Sequence, residues 1–192
     1  DLMVAGTYSG LLLFEWGQEG WEFKEKIEGI DESCRIITED ADGYLWVSHP
    51  YRGAYRIDID QKYGEILDVS LYKSEQGFPT DLHIYVSQIG NELIFTSDKG
   101  LYTYSSELDS IIPFNAFNEY LGDSKQIQRI FEDNSGNIWY VSEDETGVLK
   151  VSETSLDKSV AVFRIPELQG KFVAGFESMY FTEKNEAYIG SD

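Results

Sequence analysis

Residues 35–57 read RIITEDADGYLWVSHPYRGAYRI, and this stretch contains three strand-like runs in close succession. The run Arg35–Asp40 is followed by the turn Ala41-Asp42-Gly43, and Tyr44–Ser48 runs back. Gly53 opens a third apolar run after a short loop. Apolar runs separated by short polar or glycine-containing turns are typical of antiparallel hairpins. The stretch therefore predicts consecutive strands of one antiparallel sheet.

The same pattern of two apolar runs separated by a loop and a glycine occurs four times. The stretches are LMVAGTYSGLLLF, GYLWVSHPYRGAYRI, ELIFTSDKGLYTY and NIWYVSEDETGVLKV, with opening glycines Gly10, Gly53, Gly100 and Gly147. These glycines are 43, 47 and 47 residues apart, and a fifth copy begins with EAYIGSD at Glu186. A period of about 40–50 residues with several short strands in each period is typical of β-propeller blades.

We interpret each period as four strands, named a to d from the inner to the outer edge of a blade by analogy with other propellers. The predicted fold class is all-β, a β-propeller segment of about four four-stranded blades. Because residues 2–7 and 186–191 both match strand b, we expect an excerpt of a larger ring of about six to eight blades. We predict one domain, 1–192, with repeats at approximately 1–30, 31–76, 77–123, 124–171 and an incomplete 172–192.

The repeat pattern predicts a structural role for the four tryptophans and for one histidine. Trp46 and Trp139 occupy equivalent positions in strand b and are predicted to pack between blades. Trp16 and Trp21 flank the c–d turn of the first repeat and are predicted to form a cross-strand pair, or else an apolar patch facing a neighbouring domain. His83 is predicted to lie in an inner strand.

The composition excludes some functions for this segment. Fifteen basic and 35 acidic residues give a net charge of −20, so we expect no binding to nucleic acid or to anionic membrane surfaces. The longest apolar run, LLLF at 11–14, is too short to span a bilayer, so a signal or anchor would lie outside these residues. The single cysteine, Cys34, cannot form an internal disulfide and is predicted to be a buried hydrophobe.

Motifs for catalysis and metal binding are not found in the sequence. There is no HExxH, GxSxG, P-loop or CxxC, so we predict that this segment is not an enzyme and carries no cofactor. Glu143-Asp144-Glu145 is the densest acidic run, but it lacks the alternating spacing of a calcium loop. We predict that it is a solvated loop and that no metal is bound.

The candidate binding residues come from the loops that differ most between repeats. Variable loops on a repeated scaffold often carry function. In a propeller, the b–c loops and d–a linkers emerge on one face, and sugar recognition there would use aromatic faces with planar polar or charged groups. The predicted ligand-binding residues are Tyr8, His49, Tyr51, Arg52, Phe78, Asp81, Lys99 and Tyr120.

Two repeats also carry a motif of the form D-x-x-G-x-[IL]-W, followed by G-[LVA]-x-[RKY]-[IVY]. These are Asp40–Trp46 with Gly53–Ile57, and Asp133–Trp139 with Gly147–Val151. This motif resembles the two-component regulator propeller repeat, and Gly77-Phe78-Pro79 is similar to a G-L-P segment of that family. The third copy lacks both the Asp and the Trp.

The resemblance implies a sensor. Such repeats form the periplasmic or cell-surface sensing propellers of hybrid two-component systems, many of which respond to oligosaccharides. It also implies that the partners are an oligosaccharide or other small ligand, neighbouring domains of the same chain and a second copy in a homodimer. Two alternatives stay open: a surface propeller that acts as a protein-interaction scaffold in a secretion or assembly complex, and a propeller lyase or glycosidase.

Overall fold

The computed structural model describes residues 1–60, 62, 64–121, 126–154, 157–173, 177–184 and 186–190. Its regular elements are mostly β-strands arranged in five antiparallel sheets. The chain divides into two compact units, Asp1–Val86 and Ser87–Asp192.

The first unit contains two sheets, which we call blades 1 and 2. Blade 1 has three strands in chain order, β1 (Leu2–Thr7), β2 (Gly10–Trp16) and β3 (Trp21–Ile27). Blade 2 has four strands, β4 (Ile36–Glu39), β5 (Leu45–His49), β6 (Gly53–Ile59) and β7 (Ile66–Tyr72). Leu11 and Leu13 of blade 1 pack in one buried cluster with Val47, Tyr55 and Ile57 of blade 2. The two sheets therefore share a core between their faces.

Blades 3, 4 and 5 follow in the chain. Blade 3 consists of β8 (Tyr85–Ile89), β9 (Glu92–Ser97), β10 (Gly100–Ser105) and β11 (Ser110–Pro113). Blade 4 consists of β12 (Ile127–Glu132), β13 (Ile138–Ser142), β14 (Thr146–Thr154) and β15 (Asp157–Arg164), and blade 5 of β16 (Ser178–Phe181) and β17 (Ala187–Gly190). The second core cluster joins side chains of blades 3 and 4 with Phe117 and Leu121 of the helix α1 (Asn115–Leu121).

The predicted a–b–c–d order is confirmed in blades 2, 3 and 4, where each strand pairs with the next one in the chain. Two details differ from the sequence prediction. The linker after blade 3 contains the helix α1. His83 lies in a bend before β8 with φ of 56°. His83 is therefore not an inner-strand residue. The predicted boundary between the third and fourth repeats, at 123–124, falls outside the described residues.

The structure explains why the D-x-x-G-x-[IL]-W motif recurs in blades 2 and 4. Oδ1 of Asp40 accepts the backbone N–H groups of Asp42 and Tyr44, both at 3.0 Å, and Oδ2 accepts the indole N–H of Trp46 at 2.8 Å. Asp133 makes the equivalent bond to Trp139 at 3.0 Å. The carboxylate thus closes the a–b turn and fixes the tryptophan at the same time.

Two of the opening glycines illustrate why strand c begins close to neighbouring backbone. A Cβ at Gly53 would lie 2.1 Å from the carbonyl oxygen of Tyr72, and its φ is +87°. At Gly147 a Cβ would lie 2.6 Å from the carbonyl oxygen of Phe163 and 2.7 Å from the hydroxyl of Tyr140. At Gly53 and Gly147, at or next to the start of strand c, only a residue without a side chain fits.

The predicted tryptophan pair is confirmed. Trp16 and Trp21 are directly opposite in the β2–β3 register, and their rings meet edge to face with centroids 5.2 Å apart. Trp46 is fully buried, and Cys34 is buried in the core of the first unit. In the part of the chain that the structure describes, no helix is long and apolar enough to cross a bilayer.

Candidate functional site

The b–c turns of blades 1, 3 and 4 are closed by a side-chain hydroxyl at the end of strand b. Thr7 donates to the carbonyl of Gly10 at 2.9 Å, Ser97 to that of Gly100 at 3.0 Å, and Ser142 to that of Glu145 at 3.0 Å. Each hydroxyl also accepts a backbone N–H from within its turn. A small hydroxyl residue at this position thus has a structural role in three blades.

In blade 2 this position is occupied by His49. It lies directly opposite Gly53, as Thr7 lies opposite Gly10 in blade 1. Its Nδ1 accepts the backbone N–H of Tyr51 at 3.2 Å, so an imidazole nitrogen replaces the hydroxyl oxygen as the acceptor. The second ring nitrogen, Nε2, faces another group. A serine has only one polar side-chain atom and could not make both contacts.

That group is the carboxylate of Glu32, which lies in the d–a linker between blades 1 and 2. Its Oε2 is 3.4 Å from Nε2 of His49, and its Oε1 accepts a hydrogen bond from Nη1 of Arg52. His49 is buried, whereas the side chains of Glu32 and Arg52 are 34% and 53% exposed. We call Glu32, His49 and Arg52 the linker cluster.

The imidazole of the linker cluster is neutral near neutral pH. Burial lowers the pKa of His49 and the charge of Arg52 lowers it further, which outweighs the opposing effect of Glu32. Because Nδ1 accepts the Tyr51 N–H, the ring proton is assigned to Nε2, where it points toward the Glu32 carboxylate. The cluster therefore presents two N–H donors, one charged and one neutral, to a single carboxylate.

Two tyrosine rings lie against the imidazole of the linker cluster, and a third exposed tyrosine lies in the neighbouring b–c turn of blade 1. The rings of Tyr51 and Tyr55 each have their centroid 6.3 Å from that of His49, and Tyr51 is 68% exposed. Tyr8, in the b–c turn of blade 1, is 71% exposed, and the guanidinium of Arg35 lies 5.4 Å from its ring centroid. This end of the first unit thus combines exposed phenol rings with planar charged groups.

The linker that carries Glu32 is held in place by Cys34. The Cys34 backbone N–H donates to the carbonyl of Thr7 at 2.7 Å, and its thiol donates to the carbonyl of Glu32 at 3.3 Å. Burial, followed by the charge of Glu32, raises the pKa of the Cys34 thiol to about 11. The cysteine is therefore a protonated packing residue, and it fixes the backbone from which Glu32 extends.

The next d–a linker meets the same end of blade 2. The N–H of Gly53 donates to the carbonyl of Asp81 at 2.8 Å, and that of His83 to the carbonyl of Pro50 at 3.1 Å. The Asp81 carboxylate accepts the Ser74 N–H at 2.7 Å, which lowers its pKa. Phe78 is only 3% exposed, so its ring lies in the interior and not on the surface where the sequence placed it.

Lys99 and Tyr120 lie in the second unit and are not part of the linker cluster. Lys99 is exposed in the b–c turn of blade 3, where its N–H donates to the hydroxyl of Ser97. Tyr120 is on α1, where a hydrogen bond to Glu119 raises its pKa. Asn118 on the same helix accepts the N–H of Leu101 at 2.9 Å, so in blade 3 also the d–a linker meets the b–c end.

The acidic run of blade 4 is only partly the solvated loop that was predicted. Glu143 and Asp144 are exposed, but Glu145 accepts the hydroxyl of Tyr140 at 2.7 Å and Nε of Arg164 at 2.8 Å. Both oxygens of that carboxylate are used within the blade, and we regard it as a structural contact. Among the described residues, no group of three or more His, Cys, Asp or Glu side chains could hold a metal ion.

Comparisons with known proteins identify the fold. No protein-family model matches the sequence, and no curated protein matches it. A solved extracellular domain from B. thetaiotaomicron, described as part of a hybrid two-component system, matches with a TM-score of 0.61 and 14% identity over 98% of this chain. A second such domain from the same organism matches with a TM-score of 0.56 and 17% identity over 99%.

The propeller of Dos1 also matches, with a TM-score of 0.56 and 13% identity over 99% of this chain and 50% of that one. This chain is a β-propeller segment. It spans about a quarter of the length of the two extracellular domains, 23% and 24%. The fold predicted from the repeats is therefore confirmed, and it agrees with the sequence resemblance carried by the Asp40–Trp46 and Asp133–Trp139 motifs.

Proposed function

We propose that this segment is the ligand-recognising part of an extracytoplasmic sensor of the two-component type, and that its ligand is an oligosaccharide. The observation that carries the proposal is the replacement at His49. A position that three other blades fill with a turn-closing hydroxyl here holds an imidazole that joins Arg52 through Glu32. Turn closure alone does not require that arrangement.

The chemistry of the site suits a sugar. The exposed rings of Tyr8 and Tyr51 offer apolar faces for sugar C–H groups, and the linker cluster offers planar donors and acceptors for hydroxyls. Sites that combine apolar faces with a few placed polar groups are typical of small-ligand recognition. Location outside the cytoplasm is supported by the likeness to extracellular domains.

A sensor must also couple binding to a change elsewhere. The ligand shifts the balance between two arrangements of adjacent domains only to the extent that it binds them with different affinity. Glu32 lies in a linker between two blades, so contact with it reaches two sheets of the first unit at once. We infer that ligand contact at this linker is the point at which binding is transmitted.

The proposal is tested by isothermal titration of the protein with a panel of neutral and acidic oligosaccharides. We expect a saccharide that binds, and we expect Tyr51→Ala and Arg52→Ala each to weaken it about tenfold, the loss of one stacking or charged contact. Tyr188→Ala, which removes a ring of similar exposure in blade 5, is the matched control and should leave the affinity unchanged. Binding that is insensitive to both site variants, or no binding by any saccharide, would contradict the proposal.

A second candidate function is a protein-interaction scaffold. It is favoured by the exposed aromatic side chains of the blade 1 hairpin, where Trp16 is 56% and Phe23 60% exposed. This candidate predicts that Trp16→Ala disrupts a protein complex and leaves saccharide titrations unaltered. Tyr51→Ala and Arg52→Ala should leave that complex intact, so the two groups of variants separate the two functions.

A further inference from the structure

The linker cluster has the geometry of an occupied anion site. Nη1 of Arg52 and Nε2 of His49 converge on the two oxygens of one carboxylate, which is how proteins bind the carboxylate of a ligand. In this structure the carboxylate belongs to the protein itself, to Glu32. It arrives from a different segment of the chain, 20 residues before Arg52 and in the preceding linker.

The two donors are anchored independently of Glu32. His49 is held by the Tyr51 N–H and by burial against the rings of Tyr51 and Tyr55. Arg52 precedes Gly53, whose N–H is bonded to Asp81 in the following linker. Removal of the Glu32 carboxylate would therefore leave the backbone under both donors in place.

The Glu32 side chain is the movable part. Its backbone is fixed through the Cys34 thiol and the Cys34–Thr7 bond, but its carboxylate is 34% exposed on a flexible stem. An ion pair between groups of this exposure is weak because water competes for both partners. A ligand carboxylate can replace it at little cost.

We propose that Glu32 is an internal occupant of an anion subsite formed by Arg52 and His49, and that the carboxylate of an acidic sugar displaces it when ligand binds. This inference rests on the proposed function and names its ligand class as uronic-acid oligosaccharides. The rings of Tyr51 and Tyr8 would then contact the sugar, while the displaced Glu32 changes the contacts of the linker between blades 1 and 2.

The occupancy also provides selectivity in a chain of net charge −20. Such a charge repels anions in general, and Glu32 shields the one place where Arg52 would attract them. When an anion without a sugar ring binds, it only replaces the Glu32 carboxylate and makes no further contact. A uronate gains that exchange together with contacts to the exposed tyrosines.

The test compares α-1,4-linked digalacturonate with neutral α-1,4-galactobiose, which differ in their carboxylates, by calorimetric titration of the whole protein. For digalacturonate we expect Glu32→Gln to raise the affinity about fivefold because the competitor is gone, and Arg52→Gln to lower it about tenfold. For galactobiose, Glu32→Gln should change nothing. Glu28→Gln, an exposed residue of the same linker, is the control for the change in net charge.

Glu32→Asp supplies a second variant that keeps the charge and shortens the stem by one methylene group. It should raise digalacturonate affinity by less than Glu32→Gln does. If Glu32→Gln leaves digalacturonate affinity unchanged or lowers it, or if digalacturonate binds no variant, the displacement proposal is overturned. In either case, galactobiose binding that Tyr51→Ala weakens would still support the proposed function. If no saccharide binds, both the proposed function and the displacement proposal are contradicted.

Discussion

The indole nitrogen of Trp46 donates a 2.8 Å hydrogen bond to Oδ2 of Asp40, six residues earlier in the chain. The same bond, at 3.0 Å, joins Trp139 to Asp133. In both blades the carboxylate also accepts two backbone N–H groups of the turn. One acidic side chain thus joins a surface turn to the tryptophan of strand b, which contacts Tyr72 of the same blade in the case of Trp46 and Phe181 of blade 5 in the case of Trp139.

Asp40→Ala should destabilise the first unit by about 3 kcal/mol, because three donors lose a charged acceptor. Trp46→Phe should cost about 2 kcal/mol through loss of volume and of the indole donor. Asp42→Ala, at an exposed position of the same turn, should change stability by less than about 0.5 kcal/mol. Urea unfolding followed by circular dichroism measures all three, and equal effects for Asp40 and Asp42 would contradict the assignment.

Acid should weaken the blade 4 turn through Asp133. Burial opposes ionisation of this carboxyl, but hydrogen bonds from Asn137, Trp139 and Ser135 outweigh it and hold its pKa below the ordinary value of 3.8. Its stabilising effect is therefore complete above that value and is lost as pH falls through the folded-state pKa. The difference in unfolding free energy between wild type and Asp133→Asn should be constant near neutral pH and shrink below about pH 4. A difference that grows on acidification would refute this.

The opening glycines should not tolerate alanine. Gly53→Ala and Gly147→Ala each force a Cβ to within 2.6 Å or less of a backbone oxygen, so we expect about 2–4 kcal/mol of destabilisation. Gly190→Ala, where a Cβ meets nothing within 4 Å, is the control and should be nearly neutral. Thermal unfolding of the three variants measures these changes in stability. If Gly53→Ala leaves stability unchanged, strand c can shift to make room for the Cβ, which would contradict the prediction.

The imidazole of His49 should titrate below its ordinary pKa of 6.5, mainly because of burial. NMR titration of the ring protons tests this directly. Glu32→Gln should lower the pKa further, since the Glu32 charge raises it, and Arg52→Gln should raise it. Shifts in the opposite directions would mean that the three groups do not contact one another in solution.

The lowered pKa of His49 also makes protein stability depend on pH. Because the unfolded imidazole binds a proton more readily than the folded one, the free energy of unfolding should fall as pH drops below about 6.5 and level off below the folded-state pKa. In His49→Gln that component should be missing. An identical pH profile for wild type and variant between pH 7 and about 5 would contradict a buried neutral His49.

The repeats were predictable because a few local features recur from blade to blade. An apolar strand b followed by a glycine near the start of strand c recurs in blades 1 to 4, and a turn acid bonded to a tryptophan is added in blades 2 and 4, as at Asp40 and Trp46. The helix α1 was not predicted because the repeat pattern is defined by the strands and does not specify the conformation of the linkers between blades. His83 was misplaced because DLHIYVS resembles a strand, but the hydrogen bond from the His83 N–H to the carbonyl of Pro50 holds it in a bend.

The site was predictable only in part. His49, Tyr51 and Arg52 stand in one loop, and their chemistry was visible in the sequence. Glu32 was missed because its partners lie 17 and 20 residues away and only the meeting of linker and loop brings them together. Phe78 was predicted to be a surface residue because an aromatic ring suits sugar binding. Its burial depends on the path of the linker, which the sequence does not show.

The central claim is that a saccharide binds at the end of blade 2 where the b–c loop and the d–a linker meet. NMR mapping with a labelled protein and a bound oligosaccharide tests it most directly. The account predicts the largest amide shifts at Tyr8, Glu32 and residues 49–52, and little change at the a–b turns that contain Gly43 and Gly136. Shifts concentrated at those a–b turns, with Glu32 and Arg52 unmoved, would contradict it.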